Sequence, residues 1–147
     1  MKKARFSFSW GKLLVVAVMI GGVAVIVSRL GVSNKGYQPR QIVMPQQLST
    51  LAEEGKVLFE ANCAQCHGQI GGGTDRGPPL VHDFYNPGHH SDYAFVLAAQ
   101  NGVRAHHWQF GNMPPQPQVS EMQVNAIVRY VRELQHANGI TYRPHHM

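Results

Sequence analysis

The chain's two cysteines, Cys63 and Cys66, both fall in the stretch "NCAQCHG", with His67 directly behind them. The other 145 of the 147 residues offer no thiol. This spacing sets two sulfurs about one helical turn apart and puts an imidazole beside the second. A structural disulfide between them would close a very small loop. Something else should occupy both thiols, and the rest of the chain must fold around it.

The N-terminus decides which compartment those thiols meet. "MKKARFSFSWGK" is followed by "LLVVAVMIGGVAVIV", an apolar run of 15 residues from Leu13 to Val27. At ~1.5 Å per residue the run covers about 22 Å, against ~30 Å for a bilayer core. Snorkelling by Lys12 and Arg29, with Phe6, Phe8 and Trp10 at the interface, makes a span from about Phe8 to Leu30 feasible. We therefore expect residues 1–30 to form one transmembrane anchor. The alternative is a cleaved signal peptide, leaving a soluble periplasmic protein; no A-x-A site follows the run, and "GVS" at 31–33 is the nearest weak substitute. Either way the basic flank stays in the cytoplasm and the remainder is exported to the periplasmic side of the inner membrane. The formal net charge of +5 belongs to this segment, because Lys2, Lys3, Arg5, Lys12 and Arg29 meet no acid there. From Ser33 onward eight Lys/Arg balance eight Asp/Glu. No basic patch is left for a phosphate backbone, which excludes nucleic-acid binding.

On an exported chain, C-x-x-C-H is the signature of covalent haem attachment. Two thiols one turn apart can add across the two vinyl groups of the porphyrin, and the adjacent histidine is then held beneath the iron. A thioredoxin-like redox pair would call for a βαβ setting, which is absent. Half a zinc site would need a fourth ligand and leaves the histidine's position unused.

The remainder reads as all-α with short loops. Residues 31–47 carry Gly, Pro and Gln without apolar period, as a flexible linker. A helix opens at "STLAEEGKVLFEANC", where Thr50 and Glu53 fit a capping box; Gly55 inside it implies a close packing contact. "GQIGGGTDRGPPL" is loop. "SDYAFVLAAQNG" reads as a helix from an N-cap at Ser91 to a stop at Gly102. "GNMPPQPQ" is neither helix nor central strand. "SEMQVNAIVRYVRELQHANG" opens on a Ser120/Gln123 box and carries Val124, Ile127, Val128, Val131 and Leu134 at helical spacing, ending at Gly139. The expected organisation is an anchor at 1–30, a linker at 31–47, a haem domain at 48–139 and a histidine-containing tail at 140–147.

In order along the chain, "GKVLFEANCAQCHG", "GPPL" at 77–80, "GNMPP" at 111–115 and "VNAIVRYVREL" resemble the class I c-type cytochromes, small helical monohaem electron carriers. The resemblance covers about residues 50–138. It implies a cytochrome c-like fold around one covalent haem c, with Cys63 and Cys66 as thioether links and His67 and Met113 as axial iron ligands. It also implies that the Pro78 carbonyl orients the His67 ring, and that Gly55, Phe59 and Tyr130 mark the crossing of the first and last helices. Apart from any family, a thioether ligand needs a rigid non-helical loop, and "GNMPP" supplies one. Trp108 is a candidate for a haem propionate hydrogen bond or a haem-edge contact.

The histidines depart from that family. Besides His67 there are eight, five of them between residues 82 and 107, and His145 and His146 near the C-terminus. The bland reading is a solvated rim of the haem crevice. The sharper one is a second metal site for copper or zinc, formed by His89 and His90 with His106 and His107; a pH-sensitive docking face is a third. The function expected is single-electron transfer by a membrane-tethered cytochrome between redox partners, respiratory complexes among them, and not catalysis. The alternatives are a haem enzyme or sensor with an open or bis-histidine iron, with His106 or His107 as the second ligand, and a haem/copper-handling protein that uses the extra histidine pairs.

Overall fold

The computed structural model describes residues 10–30 and 41–144; the expectations for His145, His146 and the first part of the linker lie outside these residues. The chain divides into two units, Met1–Lys35 and Gly36–Met147. The first contains helix α1, Trp10–Leu30, on which Leu14, Val15, Val18, Met19, Ile20 and Val23 are exposed. The expected transmembrane span is not supported: among the described residues no helix is long and apolar enough to cross a membrane.

The second unit is helical, with α2 at Thr50–Asn62, the one-turn α3 at Ala64–His67, a 3-10 turn at Asp83–Tyr85, α4 at Asp92–Asn101 and α5 at Glu121–Ala137. Helix α5 sends one face inward: Val124, Ile127, Val128, Tyr130, Val131 and Leu134 are all buried, as their 3–4-residue spacing requires. Its start is fixed by a capping box in which Ser120 and Gln123 satisfy each other's backbone amides. At α2 the cap is one residue earlier than expected. Ser49, not Thr50, caps the helix, accepting from the Ala52 amide, while its own hydroxyl and amide donate to Glu133 of α5 at 2.7 and 3.0 Å. Tertiary pairing with Glu133 selects between two adjacent hydroxyl residues that look equivalent in sequence.

Helices α2 and α5 cross at Gly55. A Cβ there would collide with the Ala126 carbonyl, so the backbones approach closer than any side chain permits. One turn further on, the Phe59 and Tyr130 rings sit 5.6 Å apart at a tilt of 57°. Both residues are fully buried.

Two segments read as linker and tail lie against this core. The amide and carbonyl of Val43 pair with the Asn138 side chain at 2.9 and 2.8 Å, and Ile42 and Leu48 pack on the core. Ile140 is buried just beyond α5, and Arg143 reaches Asp83 and Asn86.

Candidate functional site

Cys63 ends α2 and begins α3. Its amide donates to the Phe59 carbonyl, and its carbonyl accepts from the Cys66 and His67 amides at 3.1 and 2.9 Å. That single turn presents both thiols and the imidazole together. Both cysteines are free, Cys63 half-buried and Cys66 exposed. Burial, and then the neighbouring Cys66, push the Cys63 thiol up to about 11.

His67 is nearly enclosed, at 9 % exposure. Its Nδ1 lies 2.8 Å from the Pro78 carbonyl. A carbonyl only accepts, so Nδ1 carries the proton and Nε2 keeps a lone pair. Burial holds the imidazole pKa below its ordinary value, against the opposing pull of the Pro78 carbonyl. The ring is thus neutral, oriented and ready to ligate. The Pro78 loop is itself pinned, with the Thr74 hydroxyl donating to the Cys66 carbonyl at 2.6 Å and the Leu80 and Val81 amides to Gly71.

Met113 enters from the other side of the chain. It pairs with Val103 through two backbone hydrogen bonds of 2.9 Å, an isolated antiparallel bridge that fixes the "GNMPP" loop. Gly102 makes the approach possible. Its backbone, at φ +74° and ψ 179°, lies in a region open only to glycine, and a Cβ would sit 2.5 Å from the Met113 carbonyl.

Between these elements lies a cleft of ≈ 560 Å³ whose walls include Cys63, Cys66, His67, Pro78 and Met113. Leu80, Phe95, Val124, Ile127 and Val128 give it an apolar lining. Its size and character suit one cofactor. Trp108 also lines it, with its buried indole Nε1–H lacking a hydrogen-bond partner. Adjacent Tyr85 has its hydroxyl pKa raised by burial. Two thiols, an oriented imidazole, an apolar slot and an orphaned donor fit a sulfur-attached porphyrin with an anionic substituent near Trp108. A second, more open cleft of ≈ 660 Å³ borders Pro45, Arg129 and Tyr142 and contains none of these groups.

Sequence reasoning missed the polar support behind the cleft. Arg132 donates to Asp92, to the Tyr85 and His90 carbonyls and to Gln135, and its guanidinium lies 5.0 Å from the Phe95 ring centroid. Gln135, fully buried, donates to the Leu80 and Tyr85 carbonyls at 2.8 and 3.0 Å. These two α5 residues tie the loop that follows Pro78 to the helical core. The available signal was polar residues interrupting an apolar helix stripe.

The histidine pairs do come together. His89 Nε2 and His107 Nε2 are 3.1 Å apart, and His89, His90 and His107 each offer a ring nitrogen within 4.8 Å of the others. His106 stands outside this trio, 4.3 Å from the His107 ring centroid and 6.1 Å from that of His90. His90, His106 and His107 also line the cofactor cleft.

A helical domain that aims two thiols and a buried imidazole from one turn into an apolar slot defines a small haemoprotein with its porphyrin attached through sulfur. The family model described as Cytochrome c matches residues 52–135, more than half of the chain, and the chain belongs to that family. Among curated proteins it is similar to the "Cytochrome bc1 complex cytochrome c subunit" of Mycobacterium bovis and Mycobacterium tuberculosis, 33% identical over 82 residues in each case. It is likewise similar to the subunit of the same name from Mycobacterium leprae, 35% identical over 75 residues. These matches take in 54%, 54% and 50% of this chain but only 26%, 26% and 23% of those proteins, so the chain spans about a quarter of the length of the relatives it matches. Its cofactor is accordingly covalently bound haem c, and Cys63 and Cys66 supply the attachment motif.

Proposed function

We propose that the protein carries single electrons through a haem iron ligated by His67 and Met113, with its haem domain held at the periplasmic face of a membrane. The carrying observation is that the oriented His67 and the bridge-fixed Met113 loop border one apolar cleft. Bound haem supplies a one-electron ferrous/ferric couple. The protein's share is positional. Pro78 keeps His67 neutral with Nε2 as donor atom, and the Val103 bridge holds Met113 without help from solvent. A soft thioether ligand favours the ferrous state and raises the potential relative to a second imidazole. The apolar walls limit water at the iron, and ligands retained in both oxidation states keep reorganisation small.

Potentiometric titration and visible spectra of the holoprotein and of Met113→Ala test this reading. The variant should keep its covalent haem, titrate at a lower potential and bind carbon monoxide in the ferrous form. An unchanged potential and spectrum would refute methionine ligation. One rival has its own support: His106 and His107 line the same cleft, as a bis-histidine iron would need. In that case His106→Ala or His107→Ala, and not Met113→Ala, opens the iron.

The N-terminal helix is proposed as a retained tether; the alternative is its cleavage as a signal peptide, which leaves a soluble periplasmic protein. The helix's 21-residue length, basic flanks and exposed apolar side chains support attachment to a bilayer. A respiratory complex is the partner class in view, since the relatives are named as subunits of one. Mass spectrometry of the mature protein, with membrane fractionation, reads haem number and N-terminus together.

A further inference from the structure

We propose that His89, His90 and His107 form a second metal site, all-imidazole and selective for a borderline transition cation, with Cu²⁺ bound most tightly. The site uses neither His67 nor Met113, and because it needs His107 it rests on the proposed reading in which Met113, not His107, is the second iron ligand.

Geometry carries the inference. Metal–nitrogen bonds of ~2.0–2.1 Å set neighbouring ligand nitrogens roughly 2.9 Å apart in a square-planar site and 3.4 Å apart in a tetrahedral one. The His89–His107 separation of 3.1 Å falls between those limits. Without metal, that distance is spanned by one shared N–H proton; ligation through both Nε2 atoms requires that proton to move to Nδ1 of its own ring, with no net loss. His90 completes the trio, with the ligand nitrogens of all three within 4.8 Å of one another.

A second, independent observation is the outer support. His90 Nδ1 lies 2.6 Å from the Phe84 carbonyl, which fixes the proton on Nδ1 and leaves Nε2 as the lone-pair nitrogen. Metal-bound histidines are oriented by this kind of contact. The His107 ring is further held by stacking on Phe84 at 4.9 Å. Asp92 and Asp83, the acids of the same stretch, are engaged by Arg132 and Arg143. The donor set is therefore nitrogen alone. That disfavours calcium and magnesium and, along the stability series of divalent metals, favours copper. His89 and His90 are half-buried and His107 is exposed, so an ion can enter from solvent. Because His90 and His107 also line the haem cleft, such an ion would lie close to the haem.

The test uses chelator-washed holoprotein, titrated with Cu²⁺ and desalted, with copper and iron counted by elemental analysis. One retained copper per iron is expected, with nitrogen couplings in the Cu²⁺ spin-resonance spectrum. His89→Ala and His107→Ala should each weaken retention by more than the roughly 10–100-fold that loss of an outer-shell partner costs. His136→Ala, on exposed α5 surface, and a double alanine variant at His145 and His146 should retain copper as the parent does. Visible haem spectra should be the same in the parent, His89→Ala, His136→Ala and the double variant. Substoichiometric copper in the parent protein would overturn the proposal, as would equal retention in His89→Ala and His107→Ala. A change in the haem spectrum of His107→Ala would also overturn it, by making that residue an iron ligand.

Discussion

Gly102→Ala isolates the link between backbone and ligand loop. The residue sits at φ +74° and ψ 179°, where a side chain costs about 1–3 kcal/mol. The new Cβ would also lie 2.5 Å from the Met113 carbonyl, whereas ordinary contact begins at 3.4 Å, so the loop must yield by roughly 0.9 Å. That carbonyl accepts from Val103 at 2.9 Å, and losing the bond adds about 1 kcal/mol. Together these come to roughly 2–4 kcal/mol, or a melting point lower by roughly 8–30 °C in a domain of this size. Gly139→Ala is the control, because Gly139 also has a positive φ, +73°, yet a Cβ there meets nothing within 4 Å. It should lose about 1–2 kcal/mol and leave the haem spectrum alone. Thermal unfolding by circular dichroism and carbon monoxide binding to the ferrous protein separate the two effects. Gly102→Ala should melt below Gly139→Ala and bind carbon monoxide where the parent does not. Should the two variants melt together, with neither binding the gas, Gly102 does not control Met113 and the reasoning fails.

Gln135→Leu strips the donor from the buried Leu80 carbonyl, while Arg132 still serves that of Tyr85, and should cost about 1–3 kcal/mol in denaturant unfolding; an unshifted midpoint would mean water replaces the amide. Gly55→Ala forces α2 away from the Ala126 carbonyl and should cost about 1–3 kcal/mol or more, seen as reduced holoprotein yield and melting temperature, while wild-type behaviour would contradict the helix crossing described. Slight burial pushes the Glu133 carboxyl up, but the Ser49 hydroxyl and amide, with Arg129, more than reverse it, and its pKa lies below the ordinary carboxylate value. A depressed carboxylate contributes stability that is fully present above its unfolded pKa and is lost as pH falls through the folded one. Melting curves taken across the acid range should therefore decline more steeply for the parent than for Glu133→Gln, and parallel curves would count against the pairing.

How far the sequence could be read follows from the range of each interaction. Local rules carried the helices: the Ser120/Gln123 box, the Gly102 stop and the α5 stripe involve residues within four positions of one another, and all three stand as expected. The haem turn was legible for the same reason, since its chemistry is complete within five residues. What failed depended on distant partners. Thr50 and Ser49 are equivalent caps until Glu133, 84 residues away from Ser49, supplies the second half of the contact. Residues 41–47 look like linker because nothing in them announces that Asn138 will take both hydrogen bonds of Val43. Arg132 and Gln135 look like solvated helix positions, yet four carbonyl contacts and one carboxylate turn them inward. The histidines are the intermediate case. Two H-H pairs 17 residues apart carry no local meaning, and it is the loop pinned by Arg132, with the Val103–Met113 bridge on the other side, that brings three imidazoles together. The supports that shape the haem cleft therefore also shape the histidine trio. Loosening Arg132 should disturb both sites, whereas truncating His89 should touch only one.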